Sequence, residues 1–377
     1  MTRWRALAWI AGLTLFAAAL YLAIRLTRDL TDFEVYRTAG TRLLARASLY
    51  RPEDGHFVFK YLPAFAFVAA PFALLSAEVA KAAWFALTFA CLALFVYWSV
   101  RALPNRRRAL APLFALTLLI TARFAIRELS LGQNNALLGV LLISVLPAVT
   151  GGARRFAGGL VGGAVFVKPY AALLVPWLAL EAGSAAVAIC VAVMAIGLLL
   201  PATIYGWSGN LSLLGAWFRT VTETTAPNLL LPENISFVSA WAKWLGPGQL
   251  ATALASASAM GVLGLVIWVV RKRALVNLPG YLEVALLLVL IPVLTPQGWD
   301  YMLLLGTPAI VCLVDRWSDL GTAWRLGVIA AFAVIGWPVR EVFGLAAARA
   351  VMHTGVVTAA AVVLAAALVH LRLVRAA

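Results

Sequence analysis

The chain has 377 residues, of which 64% are hydrophobic and only 12% charged, with a formal net charge of +15. A soluble domain of this length needs far more polar surface, so the composition excludes one and describes an all-α, polytopic membrane protein. In such a chain the basic excess marks cytoplasmic loops and contacts with anionic lipid, not nucleic acid.

Apolar runs bounded by charge, Gly or Pro predict about twelve helices, at roughly 5–26, 82–100, 109–123, 133–149, 156–167, 169–181, 184–204, 250–270, 275–293, 300–315, 325–343 and 351–371. The first run follows Arg3 and Arg5 in the manner of a signal peptide. It lacks a small-x-small cleavage site and is long enough to span, so it is read as the first membrane helix. The two short runs meeting at Lys168-Pro169 are only just long enough to cross together, so one or both are candidates to stop beside a cavity.

The segment 61–76 (YLPAFAFVAAPFALLS) is ambiguous by hydropathy, and the charges decide it. If it lies in the outer interface, the Arg-dense short loops all fall on one side. These are Arg3/Arg5, Arg101 with Arg106 to Arg108, Arg154/Arg155, Arg271 with Arg273, Arg316/Arg325 and Arg372/Arg375. If it crosses, every cluster after the first moves outside. The positive-inside rule therefore places both termini in the cytoplasm. Pro63 and Pro71 also suit an irregular interfacial element. Two long outer loops follow, 27–80 with interfacial helices and 205–249, within a single integral-membrane domain spanning 1–377. Shorter outer turns lie near 123–135, 167–170, 294–300 and 344–349.

Asp32 follows the first helix almost immediately. Thr31 and Asp32 both suit a helix N-cap, and a carboxylate beside the membrane plane also suits a general base for a sugar hydroxyl. Tyr36, four residues on, shares its helix face. His56 is the alternative base. Arg127 and Glu128 occupy the second outer turn, as a neighbouring ion pair or as site residues. Gln133 and Asn134 open the next helix, where amides cap, bond across helices or contact sugar hydroxyls. Lys168 ends an apolar helix and is a site candidate with phosphate as its natural partner, against simple snorkelling. Trp299, Asp300 and Tyr301 open a further helix on the same side, where an aromatic belt is the plainer reading of the rings. Asn234, Ser236 and Trp241 lie in the second long loop, and Asn234-Ile-Ser is a formal glycosylation sequon. All these residues fall on one membrane face, under a topology argued from charge alone.

Cys91, Cys190 and Cys312 lie in apolar runs without pairing or metal spacing and read as packing residues. A Gly-rich phosphate loop, an HExxH motif and a Cys/His cluster are all missing from the sequence. A donor used at the outer face must then be lipid-borne.

These residues, taken together, resemble glycosyltransferase family 87. The resemblance rests on Asp32-Phe33 with Tyr36, Leu49-Tyr50, Tyr61-x-Pro63 and Pro71-Phe72. It continues through Gly132-Gln133-x-Asn135, Ala157-Gly158-Gly159 leading to Lys168-Pro169, Asn234-x-Ser236, and Pro296 with Trp299. It implies an integral-membrane GT-C fold and a polyprenyl-phosphate mannose donor. It also implies a glycolipid or glycan acceptor, and an inverting transfer that gives an α-linkage at the outer face of the cytoplasmic membrane. Carried over residue by residue, Asp32 is the base and Lys168 with Arg127 holds the donor phosphate. Tyr36, His56, Tyr61, Glu128, Gln133, Asn134, Asn234, Trp299 and Asp300 would line the substrate site. No cofactor and no metal are implied, because phosphate leaves without one. The chain departs from the family at Leu62, where a second Pro is common, and at Asp300-Tyr301-Met302, where a His- or Tyr-rich run is frequent. The rival class is a transporter or flippase of lipid-linked sugars, which would show opposed gates and repeats; no repeat is evident.

Overall fold

The computed structural model describes residues 30–273, 279–336 and 339–374. The expected helix at 5–26 lies outside them. The regular structure of the described residues is helical, apart from one isolated bridge between Asn234 and Trp299. In chain order the helices begin with α1 Thr31–Leu44, α2 Phe65–Ala73, α3 Ala77–Arg101, α4 Leu110–Leu131, α5 Asn135–Ile143 and α6 Val145–Thr150. Next come α7 Arg154–Val167, α8 Val175–Ala182, α9 Ser184–Leu199, α10 Ala202–Asn228 and α11 Phe237–Leu245. The last six are α12 Gln249–Arg271, α13 Gly280–Leu294, α14 Thr307–Asp315, α15 Thr322–Gly336, α16 Val339–His353 and α17 Val356–Val374.

Helices α3, α4, α12 and α17 are each long and apolar enough to cross a membrane, and the bent pair α9–α10 qualifies as a fifth. The chain is an all-α membrane protein. Segment 61–76 forms only the nine-residue α2, with Pro71 inside it. The Lys168-Pro169 junction breaks the chain as expected: α7 ends, Lys168 is extended, and a 3-10 turn Pro169–Leu174 precedes α8.

The turns expected near 123–135 and 344–349 are largely helical, the first ending α4 and the second lying within α16, and the segment after residue 204 departs furthest from the sequence reading. It is the 27-residue helix α10, set at 88° to α9, not an irregular loop. Its apolar residues fall on two faces. Leu213 is buried and Trp217 half-buried, while Trp207, Leu211 and Phe218 are exposed. Gly206, at φ +72°, supplies the break near its start.

Packing of α7 on α9 uses the GGLVGG run. A Cβ on Gly158 would collide with the Ala186 carbonyl, and one on Gly162 would lie 2.8 Å from the Cys190 carbonyl oxygen. Gly159 and Gly163, one residue on, face open space. Small residues four apart let two backbones approach closely, which is the usual solution where lipid supplies no hydrophobic drive between helices. Gly158→Val is expected to destabilise the protein by about 1–3 kcal/mol through overpacking. Gly159→Ala should unfold at the wild-type temperature, as read by thermal unfolding in detergent.

The packed helices have two chemically distinct ends. Arg107 and Arg108 precede α4, Arg154 opens α7, and Arg316 and Arg372 end α14 and α17. At this end Asp315 accepts from the Arg107 and Arg108 amides at 2.9 and 2.8 Å, and Arg372 donates to Glu283 at 2.7 Å. The opposite ends of α4, α7 and α13 lead to Gln133, Lys168 and Pro296, which line one cavity. A 22-residue helix such as α4 separates the two ends by roughly 33 Å.

Candidate active site

The cavity has a volume of about 670 Å³. Its wall takes Asp32 and Tyr36 from α1, and His56, Lys60 and Tyr61 from the loop before α2. Arg127 comes from α4, with Gln133 and Lys168 from helix ends. Trp217 comes from α10, and Glu233, Gln297, Trp299 and Tyr301 come from the two loops that flank α11 and α13.

Asp32 does not cap α1. The capping position is Leu30, in the left-handed region with no side-chain hydrogen bond. The Asp32 carboxylate instead accepts from Gln133 Nε2 at 2.6 Å, and the same amide lies 3.0 Å from the Tyr301 hydroxyl. Gly132 makes this meeting possible. Its φ of +68° ends α4, and a Cβ there would lie 2.8 Å from Phe33 Cβ, so α1 and the 132–134 turn touch through a missing side chain. Trp84 Nε1 donates to the Gly132 carbonyl at 2.8 Å and holds the turn from α3. Burial raises the Asp32 pKa above the ordinary carboxylate range, and the Gln133 hydrogen bond and nearby Lys168 only partly offset it.

Tyr36 and Tyr61 meet hydroxyl to hydroxyl at 2.8 Å with their rings edge to face. Trp299 and Tyr301 are near-parallel at 6.5 Å. Lys168 donates to Asn135 Oδ1 at 2.6 Å, and Asn135 in turn donates to Glu128 at 2.8 Å.

Several residues singled out from sequence stand behind the wall and not on it. Arg127 and Glu128 point apart. Arg127 reaches Asp300 at 3.3 Å and lies over the Tyr301 ring, whereas Glu128 is fully buried and accepts from the Ala136 amide at 2.6 Å. Glu128 is thus the cap of α5, the role the sequence offered to Gln133 or Asn134. Asp300 is buried and bound by Arg123 at 2.9 Å. Asn134 is buried outside the cavity lining. Asn234 is a structural knot, donating to the Asn228 and Pro296 carbonyls at 3.1 Å each. Tyr36, His56, Tyr61, Arg127, Gln133, Lys168 and Trp299 do face the cavity with Asp32. Among the described residues no group of three His, Cys, Asp or Glu side chains is placed to hold a metal.

Lys60, Glu233, Gln297 and Trp217 were not anticipated. Lys60 had a visible signal, a cation in the aromatic run FVFKYLP. The others had none, since α10 was read as loop and the 294–300 turn joins them only in three dimensions.

Residues 59–296, more than half of the chain, match the family model for glycosyltransferase family 87. The chain belongs to glycosyltransferase family 87. No curated protein and no solved structure matches it. The protein is therefore a membrane glycosyltransferase working between a sugar donor and an acceptor. Asp32 lies well before the matched segment and Trp299 just after it. Each is tied into it, Asp32 by Gln133 and Trp299 by its bridge to Asn234.

Proposed function

We propose that this family 87 glycosyltransferase moves a hexose, with mannose the first candidate, from a polyprenyl-phosphate donor to a glycolipid or glycan acceptor. The reading extends to a GT-C fold with about twelve spans, both termini cytoplasmic, and the cavity on the outer face of the cytoplasmic membrane. It draws on the Arg-dense ends of the helices lying opposite the cavity.

The observation that carries the mechanism is the Asp32 carboxylate. One oxygen is tied to Gln133, and Oδ1 has no hydrogen-bond partner among the described residues. Oδ1 accepts the proton of the acceptor hydroxyl as that oxygen attacks the anomeric carbon. The bond from that carbon to the phosphate oxygen breaks, and its electron pair leaves with the phosphate. Attack from the face opposite the phosphate inverts the centre, so a β-linked donor gives an α-linked product. Lys168 and Arg127 supply positive potential to the leaving group, and aromatic rings such as Trp299 offer faces to the sugar. Glu128, Asn234 and Asp300 act on this site through the residues they hold, and Asn134 lies buried behind it.

The test is turnover of radiolabelled polyprenyl-phosphate mannose by the purified chain in nanodiscs with a membrane-lipid acceptor extract. Label in a glycolipid or glycan product is the expected result. Binding without transfer would overturn the reading in favour of transport.

A further inference from the structure

The cations of the cavity are not equivalent. The Arg127 guanidinium is met by the Asp300 carboxylate. The Lys168 ammonium donates to Asn135, which is itself held by Glu128, and the side chain is only 6% exposed. Lys60 differs from both. Its ammonium has no hydrogen-bond partner and no ion pair within 4 Å among the described residues, although it lies on the cavity wall and feels the charge of Asp32. Its backbone is nevertheless fixed. Trp217 of α10 donates to the Lys60 carbonyl at 3.2 Å, and Tyr50 donates to the next carbonyl, that of Tyr61, at 2.6 Å. A rigid backbone that presents an unsatisfied, partly desolvated ammonium is an arrangement completed by an anion from outside the chain.

We propose that Lys60 is the residue that directly binds the phosphate of the isoprenoid-linked donor. This rests on the donor class argued above and adds the contact that reading lacks. An inverting transfer needs its base and its leaving-group cation apart, with the sugar between them. Lys60 shares a cavity with Asp32 without pairing to it, which leaves that space. As the bond to the sugar breaks, the phosphate gains negative charge, and an ammonium at that oxygen stabilises the charge as it develops. The tie from Trp217 also makes α10 the element that sets the position of this cation.

The experiment uses the full chain in nanodiscs and measures binding of farnesyl monophosphate, farnesol and inorganic phosphate to wild type, Lys60→Gln and Lys60→Arg. The unfolding temperature of each variant without ligand shows that it is folded. Wild type should bind farnesyl monophosphate and not farnesol. Lys60→Gln should weaken that binding roughly 10- to 100-fold, the worth of one charge-assisted hydrogen bond, and Lys60→Arg should restore most of it. Equal binding by folded Lys60→Gln overturns the assignment and leaves the donor class standing. So does an unchanged phosphate affinity with a displaced pH profile of turnover, which would make Lys60 a modulator of Asp32. Equal affinity of wild type for farnesol and its phosphate removes the donor class itself. Inorganic phosphate binding as tightly, with the same dependence on Lys60, would mark a site for free phosphate instead.

Discussion

Asp32→Asn should lower the rate of sugar transfer by roughly 10²- to 10⁴-fold, the usual contribution of a positioned base, while farnesyl phosphate binding stays near the wild-type value. The substitution is close to isosteric. The Asn carbonyl can still accept from Gln133 Nε2, so the contact that joins α1 to the 132–134 turn survives. Only the capacity to take a proton is lost. Turnover within a few-fold of wild type would remove Asp32 from the role of base and turn attention to His56 or Glu233, which share its cavity.

The same variant carries a signed prediction about stability. Burial raises the folded-state pKa of Asp32 above that of the unfolded chain. In the interval between the two values the folded state binds more protons, so the group's stabilising contribution is present below the unfolded pKa and is lost as pH rises through the folded one. Asp32→Asn does not titrate. Relative to wild type it should therefore gain stability as pH rises through that interval and be at least as stable at neutral pH. A loss of stability at neutral pH would mean that the carboxylate is needed for folding. The activity of the wild type should likewise switch on at a pH above the ordinary carboxylate range, because only the ionised form is a base.

Glu283→Ala is expected to produce the largest loss of stability, about 3–5 kcal/mol. Glu283 lies in α13 and is almost fully buried. It accepts from Arg372 at 2.7 Å, from Arg273 at 2.9 Å and from Trp177 Nε1 at 3.0 Å. Arg372 is itself only 2% exposed, so removing Glu283 strands a guanidinium in an apolar bundle. The contact also anchors α17 to α13. The effect should be read as a fall in unfolding temperature in detergent. Glu283→Leu combined with Arg372→Met should recover much of the loss, because replacing a buried ion pair with apolar groups avoids the unpaired charge. Failure of the double variant to recover would indicate that the pair specifies the position of α17 as well as stabilising it. The cavity, at the far end of α13, should be much less affected than global stability.

Much of this molecule was legible in local sequence. Hydropathy alone marked helices α3, α4, α12, α13 and α17 to within a few residues at most ends. The Pro after Lys168 marked the break between α7 and the turn that follows. Asp32 with Tyr36 is a four-residue spacing, and both side chains do face one cavity. The helical stretches read as turn or loop, 124–131, 344–349 and α10, carry charges or small polar residues. Helix α10 spreads its apolar residues over two faces, and its scattered Ser, Asn, Thr and Gly residues lowered the hydropathy below that of a span.

Apolar length, helix period and the placement of charge are local properties, so the sequence by itself determined the all-α membrane class, most helices and the end of the bundle where arginines gather. Which polar groups meet was decided only in the tertiary structure. Asp32 finds Gln133 101 residues away, Arg123 finds Asp300 177 residues away, and Arg127 turns from its neighbour Glu128 to the same distant acid. Such pairings depend on the rotation and register of packed helices. A change of one residue in register turns a side chain by about 100° and moves it from cavity wall to protein interior. That is why Glu128, polar and correctly placed along the chain, stands behind the wall, while the paths of loops and turns set Asn134 and Asp300 behind it and Lys60 on it.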